Sequence, residues 1–152
     1  MKKKIIVLQG LPASGKSTWA KAWVKEDSKH RVRFNRDDIR NMLGEYWVPT
    51  REGLINSIYE VFLEEAMESE YDIVIDNMNL NKNTLEEIER VVEDKNNINK
   101  IVHNDIQYEI EYKNFFDTTL ETCIERDLKR SNPVGEKAIR NIYNKYKSLY
   151  PL

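Results

Sequence analysis

The sequence predicts an α/β fold, arranged as one doubly wound domain over residues 1–152. Short apolar runs of strand length alternate along the chain with longer stretches in which apolar residues recur every three to four positions, as they do in amphipathic helices. A glycine-rich loop joins the first apolar run to the first of these stretches. No repeat or linker-like segment interrupts the pattern, and 152 residues is an ordinary length for one domain.

Four segments are predicted to be strands. KIIVLQ (4–9) and YDIVID (71–76) are nearly continuous apolar runs, which are typical of strands covered on both faces. RVRFN (31–35) is a shorter strand between two helical stretches. IQYEIEYKNFF (106–116) alternates apolar and polar residues and predicts a final strand at an edge of the sheet.

Amphipathic helices are predicted between and after these strands. The polar segment 95–105 fits neither a helical nor a strand pattern, so it is left unassigned. The predicted helices span residues 16–27, 37–43, 51–69, 79–94, 118–131 and 137–150.

Local patterns in these helices predict two N-caps and two buried faces. Thr84 and Glu87 have the spacing of a capping box, and Asp117 precedes the fifth helix as a possible N-cap residue. The residues predicted to face the core are Trp19, Ala22 and Trp23 in the first helix, and Leu54, Ile58, Val61, Phe62 and Ala66 in the third.

Charge and cysteine content exclude several classes of protein. The chain has 24 basic and 26 acidic side chains, which argues against sequence-independent binding along a duplex but allows a local basic groove for one strand end. The first apolar run is too short for a signal peptide or a membrane span. Cys123 is the only cysteine, so no disulfide framework forms within the chain, and its helical spacing predicts a buried thiol. We therefore expect a cytoplasmic protein.

The segment GLPASGKS (10–17) matches the pattern G-x-x-x-x-G-K-[ST] in full, between a predicted strand and a predicted helix. The glycines let the backbone turn its N–H groups toward phosphate oxygens, and the helix N-terminus adds a favourable dipole. Lys16 is placed to reach the β- and γ-phosphates, Ser17 to bind Mg²⁺, and Thr18 to bond the α-phosphate. The predicted nucleotide-binding residues are Gly10, Pro12, Ala13, Ser14, Gly15, Lys16, Ser17 and Thr18.

Charged residues follow the second predicted strand, at the sheet edge where doubly wound folds bind ligands. A carboxylate beside a γ-phosphate can take the proton of an acceptor hydroxyl, and both Asp37 and Asp38 are candidates for that role. One of them could instead stabilise the start of the following helix. Arg40 lies three residues after Asp37 and could bind a phosphate on the same side.

Two more candidate groups lie further along the chain. Asp76 ends the third predicted strand, where an acidic residue can act on Mg²⁺ directly or through water, although such residues also cap turns. Arg126 and Arg130 are four residues apart on one helical face. They could stabilise the helix C-terminus, or act as a lid that brings positive charge onto the phosphates.

In this order, GLPASGKSTWA, NRDDIR, VIDNMNLN and ERDLKRSNPVGEKAIRNIY resemble the kinase domain of the phage-type polynucleotide 5′-kinases, over nearly the whole chain. The resemblance implies a P-loop kinase fold, a three-layer sandwich with a mostly parallel central sheet of four to five strands and a helical lid at about 126–135. It also implies an enzyme that uses ATP and Mg²⁺ to phosphorylate the 5′-hydroxyl end of DNA or RNA. Nucleic-acid repair in the cytoplasm, including that of a phage-infected host, would be its setting.

The resemblance also implies roles for individual residues. Asp37 matches the general base, Arg40 the contact to the acceptor's phosphate, and Asp38 keeps a structural role. Asp76 matches the strand-end aspartate, and Asn79 in the same segment is a further candidate for binding the acceptor. The predicted catalytic residues are Asp37, Lys16, Arg126 and Arg130, the last two also binding ATP.

The best-known members of that family carry a 3′-phosphatase domain with a D-x-D-x-T motif. This sequence contains no such motif, so we expect no phosphatase activity. Two alternatives remain open: a small-molecule P-loop kinase acting on a nucleoside, sugar or antibiotic, and a nucleotide-binding module without catalysis. The presence of Asp37 and of both lid arginines argues against the second, because a module that only binds nucleotide needs the loop lysine alone.

Overall fold

Four parallel strands form the centre of the structure, a computed structural model that describes residues 1–152. They are β1 (Lys2–Gln9), β2 (Arg31–Phe34), β3 (Asp72–Ile75) and β4 (Gln107–Asn114), in the sheet order β2-β3-β1-β4. In register, Ile5 of β1 lies opposite Ile73 of β3 and Ile110 of β4. The predicted edge position of the last strand is confirmed.

Both faces of the sheet are covered, as the continuous apolar runs require. Ile5 and Val7 belong to a cluster of 15 buried residues on one face, together with residues of the third and fourth helices. Ile6 and Leu8 point to the other face and pack with Ala20 of the first helix. The predicted three-layer α/β fold with a parallel sheet is therefore confirmed.

Six α-helices surround the sheet, close to the predicted ranges. A short 3₁₀ helix, Pro49–Arg51, precedes the third of them. No helix is both long enough and apolar enough to cross a membrane. The helices are α1 (Lys16–Glu26), α2 (Arg36–Met42), α3 (Glu52–Glu68), α4 (Lys82–Ile101), α5 (Leu120–Asp127) and α6 (Glu136–Tyr146).

The predicted capping box of α4 is wrong. The helix begins at Lys82, and the Asn81 side chain caps it by accepting hydrogen bonds from the backbone N–H groups of Asn83 and Thr84, at 2.9 and 3.4 Å. Thr84 therefore lies inside the first turn. Asparagine is at least as good an N-cap as threonine, and the cap therefore lies three residues before the predicted one.

Part of the unassigned segment 95–105 continues α4 to Ile101. Its asparagines bond to the start of the edge strand: Asn96 Oδ1 accepts from Tyr108 N at 2.8 Å, and Asn99 Nδ2 donates to the Ile106 carbonyl at 3.0 Å. Asn99 is only 2% exposed. The helix packs through polar groups here, so the apolar period that predicts a helix is absent.

The N-cap predicted for α5 is also wrong. The helix is capped by Thr119, whose Oγ1 accepts from Thr122 N at 3.2 Å, and Asp117 lies two residues before the cap. Cys123 in this helix is fully buried, as predicted. Burial raises the pKa of its thiol, so the side chain packs as a small apolar group.

The buried faces of α1 and α3 differ from the predicted ones. In α1, Ala20 is buried and Ala22 is exposed, while the two tryptophans are partly buried. In α3, Leu54 and Val61 are 51% and 58% exposed. Apolar residues on both flanks of α3 make its apolar face wider than the stripe that contacts the sheet. The buried residues of α3 are Ile55, Tyr59, Leu63, Ala66 and Met67.

Candidate active site

The glycine-rich loop 10–17 joins β1 to α1 in a tight turn. Gly15 has φ +108°, in the left-handed region that favours glycine. A Cβ at Gly10 would lie 2.7 Å from Ser14 Oγ and 3.2 Å from Phe115 Cβ, so any other residue there would push the loop outward. Thr118 Oγ1 also donates to the Ser14 carbonyl at 2.9 Å. The loop is thus held close to the chain that follows β4.

Lys16, the first residue of α1, folds back over this loop. Its Nζ donates to the carbonyls of Gly10 and Leu11, at 3.0 and 2.6 Å, and lies 3.3 Å from Ser14 Oγ. The residue is 7% exposed. This burial lowers its pKa to about 8, although the charge of Asp76 acts in the opposite direction. An anion entering the loop would meet a lysine that is held by neutral acceptors and is largely stripped of water.

The pKa of Lys16 predicts how nucleotide binding depends on pH. Below about pH 8 the lysine carries its charge before ATP arrives, so this group adds no pH dependence. Above its pKa, binding must first take up a proton, and the affinity for ATP should fall by up to about tenfold per pH unit. Titration calorimetry from pH 7 to 9.5 measures this, together with the proton uptake.

Lys16→Met should lose both the affinity and its pH dependence, while Lys21→Met, an exposed lysine of the same helix, should keep both. If the wild-type affinity stayed flat up to pH 9.5, Lys16 would not be the titrating group that contacts phosphate.

Arg33 lies on β2 and joins three groups that are distant in sequence. Its Nε donates to Asp76 Oδ2 at 2.7 Å, its second terminal nitrogen is 3.4 Å from Ser17 Oγ, and it forms a close ion pair with Asp38. Sequence analysis did not identify this residue as functional. The available signal was a charged side chain in the interior of a four-residue strand, between Val32 and Phe34. Asp38, for which the resemblance implies a structural role, is thus paired with Arg33.

Ser17 and Asp76 fit a Mg²⁺ ion that is held mainly by nucleotide phosphates. No group of three or more His, Cys, Asp and Glu side chains is arranged to hold a metal. Asp76 is 1% exposed, and its Oδ1 accepts no hydrogen bond. Mg²⁺ typically takes one or two protein oxygens and completes its shell with water and phosphate. The hydroxyl of Ser17 and the free carboxylate oxygen of Asp76 are suitable partners.

Asn35 attaches the start of α2 to the end of β3. Its Oδ1 accepts from Asp38 N at 2.9 Å, which caps the helix, and its Nδ2 donates to the Asp76 carbonyl at 2.6 Å. The backbone N–H of Arg36 donates to Asn77 Oδ1 at 3.0 Å. These bonds fix the first turn of α2, and Asp37 with it, beside the strand end that carries Asp76.

Asp37 and Arg40 form an ion pair that two further residues extend. An Arg40 guanidinium nitrogen lies 2.6 Å from Asp37 Oδ1, and two others donate to the Glu52 carboxylate at 2.6 and 3.1 Å. Tyr46 donates its hydroxyl to the same Asp37 oxygen at 2.9 Å. Burial, followed by the charge of Asp37, raises the pKa of Tyr46, so its hydroxyl stays a donor. The other Asp37 oxygen accepts no hydrogen bond from the protein.

The segment predicted to be a lid, residues 126–135, contains the two predicted arginines and a buried aspartate. Asp127, 1% exposed, accepts hydrogen bonds from the backbone N–H groups of Val134 and Gly135, at 2.9 and 2.8 Å. Arg130 lies 3.6 Å from the same carboxylate. A Cβ at Gly15 would be 3.8 Å from an Arg126 guanidinium nitrogen. Asp127 therefore fixes the turn between α5 and α6. Arg126 lies beside the glycine-rich loop at Gly15.

Most of the predicted site residues face one space at the carboxyl ends of the strands. The charges of Asp76, Arg130 and Asp37 all act on Lys16, so each of these groups lies within electrostatic range of that lysine. Asn79 does not join them. It is 4% exposed, and its Nδ2 donates to the carbonyls of Leu8 and Ile75, between the ends of β1 and β3.

Comparison with known proteins places this arrangement in a family. The family model AAA_33, described as an AAA domain, matches residues 5–150. The L-seryl-tRNA(Sec) kinase of Methanococcus maripaludis is 23% identical in an alignment of 145 positions that covers 93% of this chain and 52% of that protein. A putative bifunctional polynucleotide kinase/RNA ligase of Autographa californica nuclear polyhedrosis virus is 28% identical in an alignment of 162 positions that covers 95% of this chain and 21% of that protein.

A solved structure shows the same fold. A chain of the Pnkp1/Rnl/Hen1 RNA repair complex superposes with a TM-score of 0.75 and 25% identity, covering 96% of this chain and 44% of that one. The chain thus spans about half, or less, of the proteins it matches. It belongs to the AAA_33 family of AAA domains, and its fold and phosphate-binding loop are those of a P-loop kinase domain.

Proposed function

We propose that this chain transfers the γ-phosphate of ATP to the 5′-hydroxyl of a DNA or RNA strand. The observation that carries the proposal is the Asp37–Arg40 pair at the end of β2, facing Lys16 and the lid. The pair combines a carboxylate that can accept a proton with a guanidinium that can bind a phosphate. A polynucleotide kinase/RNA ligase among the relatives supports the same acceptor class.

In the proposed reaction, the oxygen of the 5′-hydroxyl attacks the γ-phosphorus, and Asp37 takes the proton of that hydroxyl. The bond from that phosphorus to the β–γ bridging oxygen breaks, and ADP leaves. One Asp37 oxygen is fixed by Arg40 and Tyr46, at 2.6 and 2.9 Å. The other oxygen is free to receive the proton, so these two residues orient the base without occupying it.

The remaining residues balance the charge of the transferring group. Lys16 and the lid arginines would contact the phosphate oxygens, on which negative charge concentrates during transfer. Mg²⁺ bound with ATP adds charge neutralisation at the β- and γ-phosphates, and Ser17 and Asp76 are the residues that would hold it. Arg40 would bind the first phosphate of the acceptor strand.

A panel of acceptors tests this proposal. The purified chain is incubated with γ-labelled ATP, Mg²⁺ and oligonucleotides that carry either a 5′-hydroxyl or a 5′-phosphate, as DNA and as RNA. Free nucleosides and serine-charged tRNA are run beside them, the latter because a seryl-tRNA kinase is also a relative. We expect label on the 5′-hydroxyl oligonucleotides alone. Label on nucleosides, or on the seryl group, would assign a different acceptor and contradict the proposal.

Arg40→Gln should weaken catalysis most for acceptors that carry a phosphate. Loss of a charge-assisted contact of about 1.5–3 kcal/mol corresponds to a fall of roughly 10- to 100-fold in kcat/KM. We expect most of this fall as a raised KM for a 5′-hydroxyl oligonucleotide, measured by steady-state kinetics. The same variant should change kcat/KM much less for a 5′-hydroxyl oligonucleotide whose first internucleotide linkage is an uncharged methylphosphonate. Equal losses for both acceptors would mean that Arg40 acts only through Asp37.

A further inference from the structure

The Arg33 guanidinium lies between the two residues that would hold Mg²⁺. It donates to Asp76 at 2.7 Å and lies 3.4 Å from Ser17 Oγ, while its third nitrogen pairs with Asp38. Its side chain is 13% exposed, and that of Asp76 is 1% exposed. The guanidinium therefore fills the gap between the end of β3 and the start of α1.

This position has an electrostatic consequence. The Arg33 guanidinium is the ion-pair partner of the Asp76 carboxylate, 2.7 Å away, and a buried charge is costly unless it is paired. The same guanidinium places a positive charge where a divalent cation would contact Ser17 and Asp76. Like charges a few ångströms apart in a partly buried site repel each other strongly.

We propose that Arg33 is the resident counter-cation of this site: its guanidinium occupies the space between Ser17 and Asp76 and prevents Mg²⁺ from binding without nucleotide. When ATP binds, its phosphates supply enough negative charge to offset the repulsion. Of the contacts that Arg33 makes with Asp76, Asp38 and Ser17, the one to Ser17 is the longest. This contact then breaks, and the Ser17 hydroxyl is free to serve as a ligand. The inference rests on the nucleotide and metal roles in the proposed function, and not on the acceptor.

The structure offers a matched pair of variants for the test. Arg31 lies on the same strand, two residues earlier, and its guanidinium bonds to Glu26 and the Trp23 carbonyl, away from the site. Arg33→Gln removes the charge at the site but keeps an amide that can donate to Asp76. Arg31→Gln removes a charge from the same strand without touching the site.

Thermal unfolding and Mn²⁺ binding are measured without nucleotide. For wild type, and likewise for Arg31→Gln, the melting temperature in millimolar MgCl₂ should equal that of the same protein in EDTA. Arg33→Gln should melt earlier in EDTA and recover when Mg²⁺ is added. Its affinity for Mn²⁺, followed by the electron paramagnetic resonance of the free ion, should rise at least about tenfold over wild type, because a repelling charge has been removed. The double variant Arg33→Gln/Asp76→Asn should lose this gain.

Three results would overturn the inference. They are an Arg33→Gln variant that gains no affinity for Mn²⁺, a gain that persists in the double variant, and a wild-type chain that binds Mn²⁺ as tightly alone as with ADP. The last measurement needs no variant, so it decides the question even if Arg33→Gln does not fold. No acceptor is present in these experiments, so a failure to phosphorylate oligonucleotides would leave their outcome unchanged.

Discussion

Asp37→Asn should lower the rate of phosphate transfer to a 5′-hydroxyl oligonucleotide by about 10²- to 10⁴-fold, the usual contribution of a general base. Asparagine keeps the size and can still accept a hydrogen bond from Tyr46, which lies 2.9 Å from the Asp37 oxygen. It cannot take a proton from the acceptor. Single-turnover transfer of label from γ-labelled ATP, at saturating acceptor, measures the loss on the chemical step.

Asp38→Asn is the control for this prediction. Asp38 is the next residue of α2, but it pairs with Arg33 and its side chain is 59% exposed. An ion pair with an exposed partner contributes about 1 kcal/mol or less, so we expect a loss of less than about tenfold. If the two variants lost activity equally, the assignment of the base to Asp37 would have to be abandoned.

Arg126→Met should lower the rate of phosphate transfer by as large a factor as Asp37→Asn, or by a larger one. An arginine that stabilises the charge of a transferring phosphoryl group contributes about 10³- to 10⁵-fold to kcat, and Arg126 already lies beside the phosphate-binding loop at Gly15. ATP binding in the ground state should weaken much less than the rate, since the contact is stronger in the transition state.

The same assay with Arg140→Met provides the comparison. Arg140 is also on the helical pair α5–α6, but it binds Glu136 and Glu121 at the surface, so its loss should leave transfer nearly unchanged. If Arg126 had only a structural role, the Arg126→Met variant would lose ATP affinity and transfer rate in equal proportion, or would lose neither of them.

Much of the fold could be predicted from local patterns. The strands β1 and β3 are continuous apolar runs, and the phosphate-binding loop is defined by a pattern of eight consecutive residues, Gly10–Ser17. Features of this kind depend on residues that are close in the sequence, so they can be predicted from the sequence alone. The last seven residues of α4, 95–101, were missed because the asparagines there bond to the backbone at the start of β4 instead of forming an apolar face.

The sequence indicated candidate site residues but not the contacts among them. Arg33 and Asp76 are 43 residues apart, and Arg40 and Glu52 are 12 apart. Whether a charged residue pairs with a distant partner depends on how the strands are ordered, which the local pattern does not encode. For the same reason, Asn79 was predicted to bind an acceptor, whereas its side chain links the ends of two strands. The contacts of Arg33 and Tyr46 became visible only in three dimensions.

The central claim is that the phosphate goes to the 5′ end of a polynucleotide, and its position in the product tests this most directly. An oligonucleotide with a 5′-hydroxyl is incubated with γ-labelled ATP and Mg²⁺, and the product is digested to nucleoside 5′-monophosphates. If Asp37 and Arg40 act as proposed, all of the label appears in the 5′-terminal nucleotide. Label at any other position, or none on the oligonucleotide while ATP still binds, would contradict the assignment of this site to a polynucleotide 5′-hydroxyl kinase.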